Sequence, residues 1–515
     1  MNKTSNRPVM LSLLLLLATA AWLYSTTFVF PNLPIFEGDV TPIFLHEAVR
    51  MLRGEVIYKD FFELLFPGIQ YVDVALIRLL GMKAWIPNLM LVVLGTSLAA
   101  SGYLISRRVL DGKLAYLPSA LFLGFAFTSE PDPTHHWYST LAVMAALAVL
   151  VVERTPARLA LAGAICGVAM LFTQTVGPAA AFGIALFLIW ERRQRNPGWR
   201  EMLKTQVQLW VPFAVTVLVP VIWLMVRAGF VPFYTDTILF PAKYFRLWFW
   251  NTPQVYLYEV PNFQGPLEIG AMALWLSVHV LLPAVYLVFL ARWMQLRKAR
   301  PTEPWDRLML LSLVGLCLFM TVVSSPSWLR LCSVSFPGLI VLVWLTSGPG
   351  APSKAFRRVL WIAGAAALAA QPLIAQTSWR GDLTTPTGRE AFASPDVYAK
   401  FEWLQQHTKP GDYMFQASDC SLYYLLELNN PARVAFLTAS GYTRPEQVQE
   451  TIQLLKEKRV RYVLWSVWLD VPFPDRPGSI DVKRLEPLRE YLGTHYRLVR
   501  NFGEPDYEQV WERTK

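Results

Sequence analysis

Charge is scarce in this chain: 16% of its 515 residues are Asp, Glu, Lys or Arg, against roughly 25% in a soluble globular protein. The shortage has a location. Runs such as 11–21, 86–100 and 308–323 carry no Asp, Glu, Lys or Arg. Cysteine is scarce too, with four residues. Cys166, Cys317 and Cys332 fall in or beside apolar runs, and Cys420 stands alone in the last segment, so no disulfide framework can be drawn. The chain has no evident internal repeat and no Gly-rich phosphate loop. The net charge of +10 is spread in short clusters between apolar runs and not gathered on one stretch, which excludes nucleic acid as a partner.

What the chain does have is apolar length. About 20 apolar residues cross a bilayer as a helix, and only helices and closed barrels satisfy the backbone inside lipid. These runs are continuous where barrel strands would alternate, so the expected class is a polytopic α-helical membrane protein. Runs at 8–28, 86–105, 114–127, 137–152, 158–172, 176–190, 209–226, 267–290, 308–323, 331–345 and 359–376 predict about eleven transmembrane helices. Segments 107–113, 154–158, 192–204, 292–307 and 354–358, with the N-terminus, hold roughly 20 basic residues, whereas the intervening loops hold about nine. Basic residues accumulate on the cytoplasmic side, so the N-terminus is expected inside and the last segment outside. The first run also offers a small-residue cleavage pattern at 18–20, but its apolar stretch exceeds the usual signal-peptide core.

Three outer segments are too long for turns: 31–85, 229–266 and 377–515. Long loops of compact proteins are usually functional. The division expected is a transmembrane domain over 1–376 and a small extracytoplasmic α/β domain over 377–515. In the latter, 399–406 and 445–458 have helical periodicity, and 413–416 and 460–466 read as strands. Without a metal-ligand cluster or phosphate loop, the tail reads as a docking or lid domain.

The chemistry is expected in the first outer loop. Phe36-Glu37-Gly38-Asp39 places two carboxylates around a glycine directly after the first run. A carboxylate near low dielectric can hold a raised pKa and act as a general base. An ordinary solvated loop would look the same over three residues. Residues 41–52 read as an amphipathic helix lying along the interface. Asp60 and Glu63, three apart, would share a face of a helical turn. Tyr58 and Phe61 beside them suit either sugar stacking or headgroup anchoring. In the second long loop, Lys243 and Arg246 precede the aromatic run Leu247-Trp248-Phe249-Trp250. Arg330 stands at a later span end. The short loop Glu130-Pro131-Asp132-Pro133-Thr134-His135-His136 pairs histidines with acids, as a divalent-cation site or a phosphate contact would. Adjacent histidines point in different directions, so one site rarely uses both.

The order of first span, E-G-D, amphipathic helix, Gly54-x-x-x-Tyr58-x-Asp60, Pro67-Gly68 and a helix ending in Gly81 resembles the bacterial family-39-type membrane glycosyltransferases. These belong to the GT-C class, with the protein O-mannosyltransferases, the aminoarabinose transferases of lipid A and the Rgt-type galacturonosyl transferases. The motifs cover about residues 9–81, and the many-span body with an outward C-terminal segment agrees with the family layout. The resemblance implies a polyprenyl-phosphate sugar donor, a lipid, glycan or protein acceptor, and an acidic base just after the first span. Asp39 matches that base, with Glu37 second. Lys243, Arg246 and Arg330 are the cations for the departing phosphate, and Tyr58, Asp60, Glu63, His135 and His136 are further substrate-contact candidates. No metal ligand is assigned, and some members of the class use a divalent cation while others do not. The competing reading is a transporter or flippase of lipid-linked sugars, which would place ionisable or helix-breaking residues at mid-span and repeat its halves. Pro212 and Pro220 are the only conspicuous interruption. A polysaccharide ligase or polymerase would carry its large outer loop late in the chain, whereas the acidic loop here comes first.

Overall fold

The structure, a computed structural model, describes residues 6–36, 38, 41–194, 198–261, 265–348, 351–470, 481–503 and 507–514. Every run expected to span falls on helix, from Asn6–Thr27 and Ile86–Ser106 through Trp305–Val322 to Ala351–Ser378. The run at 331–345 is broken at Val334 and Ser335 into Trp328–Ser333 and Phe336–Leu345. Among the described residues, five helices have the length and apolarity to cross a membrane, and shorter apolar helices accompany them. On the Trp199–Ala228 helix a row of apolar side chains at helical spacing faces outward, with Val215 56% and Val219 65% exposed. Water disfavours such a stripe and lipid accepts it. The chain is an integral membrane protein.

The chain gathers into two compact units. The first comprises 1–27, 89–221 and 253–376. Where lipid surrounds helices, close approach of backbones replaces the hydrophobic effect as the packing force, and small residues allow it. Gly163 and Gly167, four apart on Pro156–Phe172, lie against the Trp199–Ala228 helix: a Cβ on Gly163 would meet the Leu209 carbonyl oxygen at 2.0 Å, and one on Gly167 would meet Phe213 O at 2.9 Å. Gly163→Ala is therefore expected to lower the thermal midpoint in detergent by several degrees. Gly270→Ala, where an added Cβ meets nothing within 4 Å, leaves it unchanged. Equal midpoints for the two variants would show that this contact is not tight.

The second unit comprises 28–88, 222–252 and 377–515. Its sheet has four strands in the order Met414–Gln416, Tyr462–Ser466, Glu508–Arg513, Tyr496–Phe502. The first pair is parallel and the others antiparallel. Pro445–Glu457 lies between the two parallel strands in the chain and has the amphipathic pattern of a crossover helix, with Val448, Ile452 and Leu455 buried. The segment 31–85, expected outside, has its described part built into this unit. The Phe36 amide donates to the Ala391 carbonyl at 2.8 Å, and Tyr424 exchanges hydrogen bonds with the Lys83 backbone at 3.0 and 3.1 Å. Leu45, Val49, Val74 and Ile77 share one core with Phe392, Phe401, Leu404 and Tyr424.

Two sequence expectations change here. Thr41–Leu52 is a helix, but residues 44–50 are all buried in protein, so it is a core element and not an interfacial one. Residues 55–67 are not helical, so Asp60 and Glu63 share no helix face. Asp60 Oδ2 instead accepts the Val56 amide at 2.7 Å and closes a turn, while Glu63 points inward.

Candidate active site

Glu37 and Asp39 lie outside the described residues. The loop that follows them holds the most unusual electrostatics of the unit. The turn at Tyr58 has φ 69°, a conformation rare for a bulky residue. Tyr58 is fully buried, and its hydroxyl donates to the Leu65 carbonyl at 2.7 Å. That hairpin-like path delivers Glu63 to the interior, where Oε1 accepts the Leu64 and Leu65 amides at 2.6 and 2.7 Å. Gln70, fully buried on Gly68–Leu80, donates from Nε2 to Glu47 Oε2 at 2.8 Å and lies 3.4 Å from Glu63 Oε2.

Two carboxyl groups so placed cannot both ionise. Burial and the charge of Glu63 hold Glu47 well above the usual carboxylate range. Burial raises Glu63 as well, but the two backbone amides and the bond from Glu47 favour its charged form. Glu47 is therefore the protonated donor and Glu63 the acceptor. A carboxylic acid kept neutral at pH 7 can donate a hydrogen bond or a proton.

Asp236, from the second long loop, faces the same cluster. Burial pushes it up to about 7, partly offset by Arg444 and Arg433 and reinforced by Glu63. The Arg444 guanidinium sits 5.8 Å over the Phe62 ring and 5.7 Å over Phe240. Arg433 donates to the Lys59 carbonyl at 2.8 Å. The charges of both guanidinium groups thus act on Asp236, beside the buried Glu63. A carboxyl raised in the fold stabilises it below the unfolded pKa and loses that contribution as pH rises through the folded value. Asp236→Asn should therefore gain stability relative to the wild type between pH 5.5 and pH 8, read as the difference of thermal midpoints. A difference that does not change with pH would place the titration elsewhere.

Lys243 and Arg246 belong to this unit and are exposed. In the other unit the remaining predicted residues collect. The rings of His135 and His136 lie 4.1 Å apart, and the charge of Arg330 acts on both. Arg330 also donates to the Ser325 carbonyl at 3.3 Å. Glu259, at the end of the second loop, accepts the Trp328 amide at 2.7 Å, and His279 Nε2 stands 3.5 Å from the same oxygen. Among the described residues no three His, Cys, Asp or Glu side chains form a set that could hold a metal ion.

Glu47, Gln70, Asp236, Arg433 and Arg444 were not singled out by the sequence. Asp236 carried a signal, since it is the only charged residue between Phe230 and Phe240. Arg433 and Arg444 carried none, because their position depends on the docking of the tail.

This architecture is an ArnT-like fold. The chain is similar in structure to ArnT from Cupriavidus metallidurans bound to undecaprenyl phosphate, with TM-score 0.57 and 13% identity over 97% of this chain and 97% of that one. The same ArnT in the apo state gives TM-score 0.57 and 13% identity over 98% of each chain. At such identity the likeness is one of fold. No family model matches the sequence, and no curated protein matches it.

Proposed function

We propose that the chain is a glycosyltransferase that moves a sugar from a polyprenyl-phosphate donor to a lipid, glycan or protein acceptor at the outer face of a bacterial-type inner membrane. The observation that carries this reading is the fold, shared along nearly its whole length with a protein solved with undecaprenyl phosphate. The E-G-D tripeptide after the first helix adds the base that transfer requires. In this reading the N-terminus is cytoplasmic and the second unit, with its acids, faces outward.

The reaction is a single displacement. Asp39 takes the proton of an acceptor hydroxyl, the hydroxyl oxygen attacks the anomeric carbon, and the bond to the lipid phosphate breaks with its electron pair staying on phosphate. Configuration inverts. Negative charge grows on the leaving phosphate, and a cation near it lowers the barrier. Lys243 and Arg246 are exposed in the second loop beside aromatic residues suited to a polyprenyl chain. Glu63 and Glu47, buried and hydrogen-bonded to each other, organise the loop beneath.

Membranes containing the protein should transfer labelled sugar from polyprenyl-phosphate donors. Lys243→Ala with Arg246→Ala should weaken donor use by about tenfold or more, the worth of a lost charge-assisted bond. Unchanged kcat and KM in that variant would remove these two cations from the donor site. The flippase reading predicts lipid movement between leaflets without consumption of donor.

A further inference from the structure

Outside the acidic cluster, the second unit contains a polar cavity of about 190 Å³. For scale, a cavity of about 150 Å³ admits a benzene ring, so this one accepts a group of sugar-ring size. Its wall joins the first outer loop to the C-terminal segment. Four cations line it, Arg50, Arg53, Arg433 and Lys458, against two carboxylates, Glu55 and Asp60. Both carboxylates are engaged: Glu55 holds Arg50 at 2.7 Å, and Asp60 accepts the Val56 amide.

The cations are less fully matched. Arg53 donates to the Asn429 side-chain oxygen, a neutral partner. Lys458 donates to the Tyr413 hydroxyl at 3.2 Å and lies 4.3 Å over that ring, also neutral. Neither has a carboxylate partner among the described residues. A buried imidazole completes the wall. His46 is 2% exposed, its ring packs 4.4 Å from that of Tyr423, and its Nε2 has no hydrogen-bond partner among the described residues. A buried polar atom without a partner costs free energy unless something binds it. Uncompensated cations, amide and phenol groups and an unfilled imidazole nitrogen around one concavity fit an oxyanion that also carries hydroxyl groups.

We propose that this cavity binds a small hydrophilic oxyanion, a phosphate or carboxylate group carried on a saccharide. Arg53 and Lys458 supply the charge, and His46 and Asn429 supply the neutral hydrogen bonds. Binding there does not depend on the transfer reaction.

The test is titration calorimetry on the full-length protein in detergent, with glucose 1-phosphate, glucuronate and inorganic phosphate as probes and glucose as the neutral control. At least one anionic sugar should bind, more weakly as salt is raised, while glucose does not. The phosphate and carboxylate sugars separate the two anion types. Arg53→Gln with Lys458→Gln should lower that affinity by about tenfold or more. Both residues are exposed, so the thermal midpoint without ligand should hold. Asn429→Asp, which sets a carboxylate beside Arg53, should lower affinity as well and serves if the double variant does not fold. Absence of binding by all three anions, or equal binding by wild type and the variants, overturns the proposal.

Discussion

Glu63→Ala is expected to destabilise the second unit by on the order of 3 kcal/mol or more, since each buried donor left without its acceptor costs about 1–3 kcal/mol. The carboxylate accepts two backbone amides and the proton of Glu47, so its loss leaves several buried donors without an acceptor. Glu63→Gln should cost less, because an amide oxygen can still accept from Leu64 and Leu65. Glu47→Gln should cost least. Glu47 is already neutral, and an amide can donate where the carboxylic acid did. The order of thermal midpoints should therefore be wild type, Glu47→Gln, Glu63→Gln, Glu63→Ala. A Glu47→Gln protein less stable than Glu63→Ala would mean that the proton resides on Glu63.

Asp39→Asn is expected to lower sugar transfer by about 10²- to 10⁴-fold, the range over which a positioned general base contributes. The substitution keeps size and removes basicity, so donor binding should persist and the loss should appear in kcat. Glu37→Gln should have a much smaller effect. If the two outcomes exchange, Glu37 is the base. If both variants retain transfer while the protein remains folded, the proton goes to an acid further along the loop.

The spanning helices were legible because each run expected to span falls on helix, and apolar length is a local property. The elements of the tail were legible from periodicity, which is local as well: the helix expected over 445–458 is Pro445–Glu457, and the strand over 460–466 is Tyr462–Ser466. What stayed hidden depends on contacts far apart in the chain. Thr41–Leu52 has the amphipathic pattern of a surface helix, and only its packing against Tyr423 and Leu422 makes both faces interior. The shared proton of Glu47 and Glu63 could not be read from sixteen residues of separation, because the intervening turn depends on the φ of Tyr58 and on Gln70 arriving from the next helix. Asp60 and Glu63 looked like a pair on spacing alone. In the fold one closes a turn and the other enters the core.

The central claim is transfer from a lipid-phosphate donor, and stoichiometry tests it most directly. Purified wild-type protein in lipid vesicles would be given a polyprenyl-phosphate sugar labelled on both the sugar and the lipid, with envelope acceptors. The account predicts one glycosylated acceptor formed for each polyprenyl phosphate released, and neither product with Asp39→Asn. Intact donor that appears in the opposite leaflet, with no polyprenyl phosphate released, would contradict it and make the protein a carrier of the lipid-linked sugar.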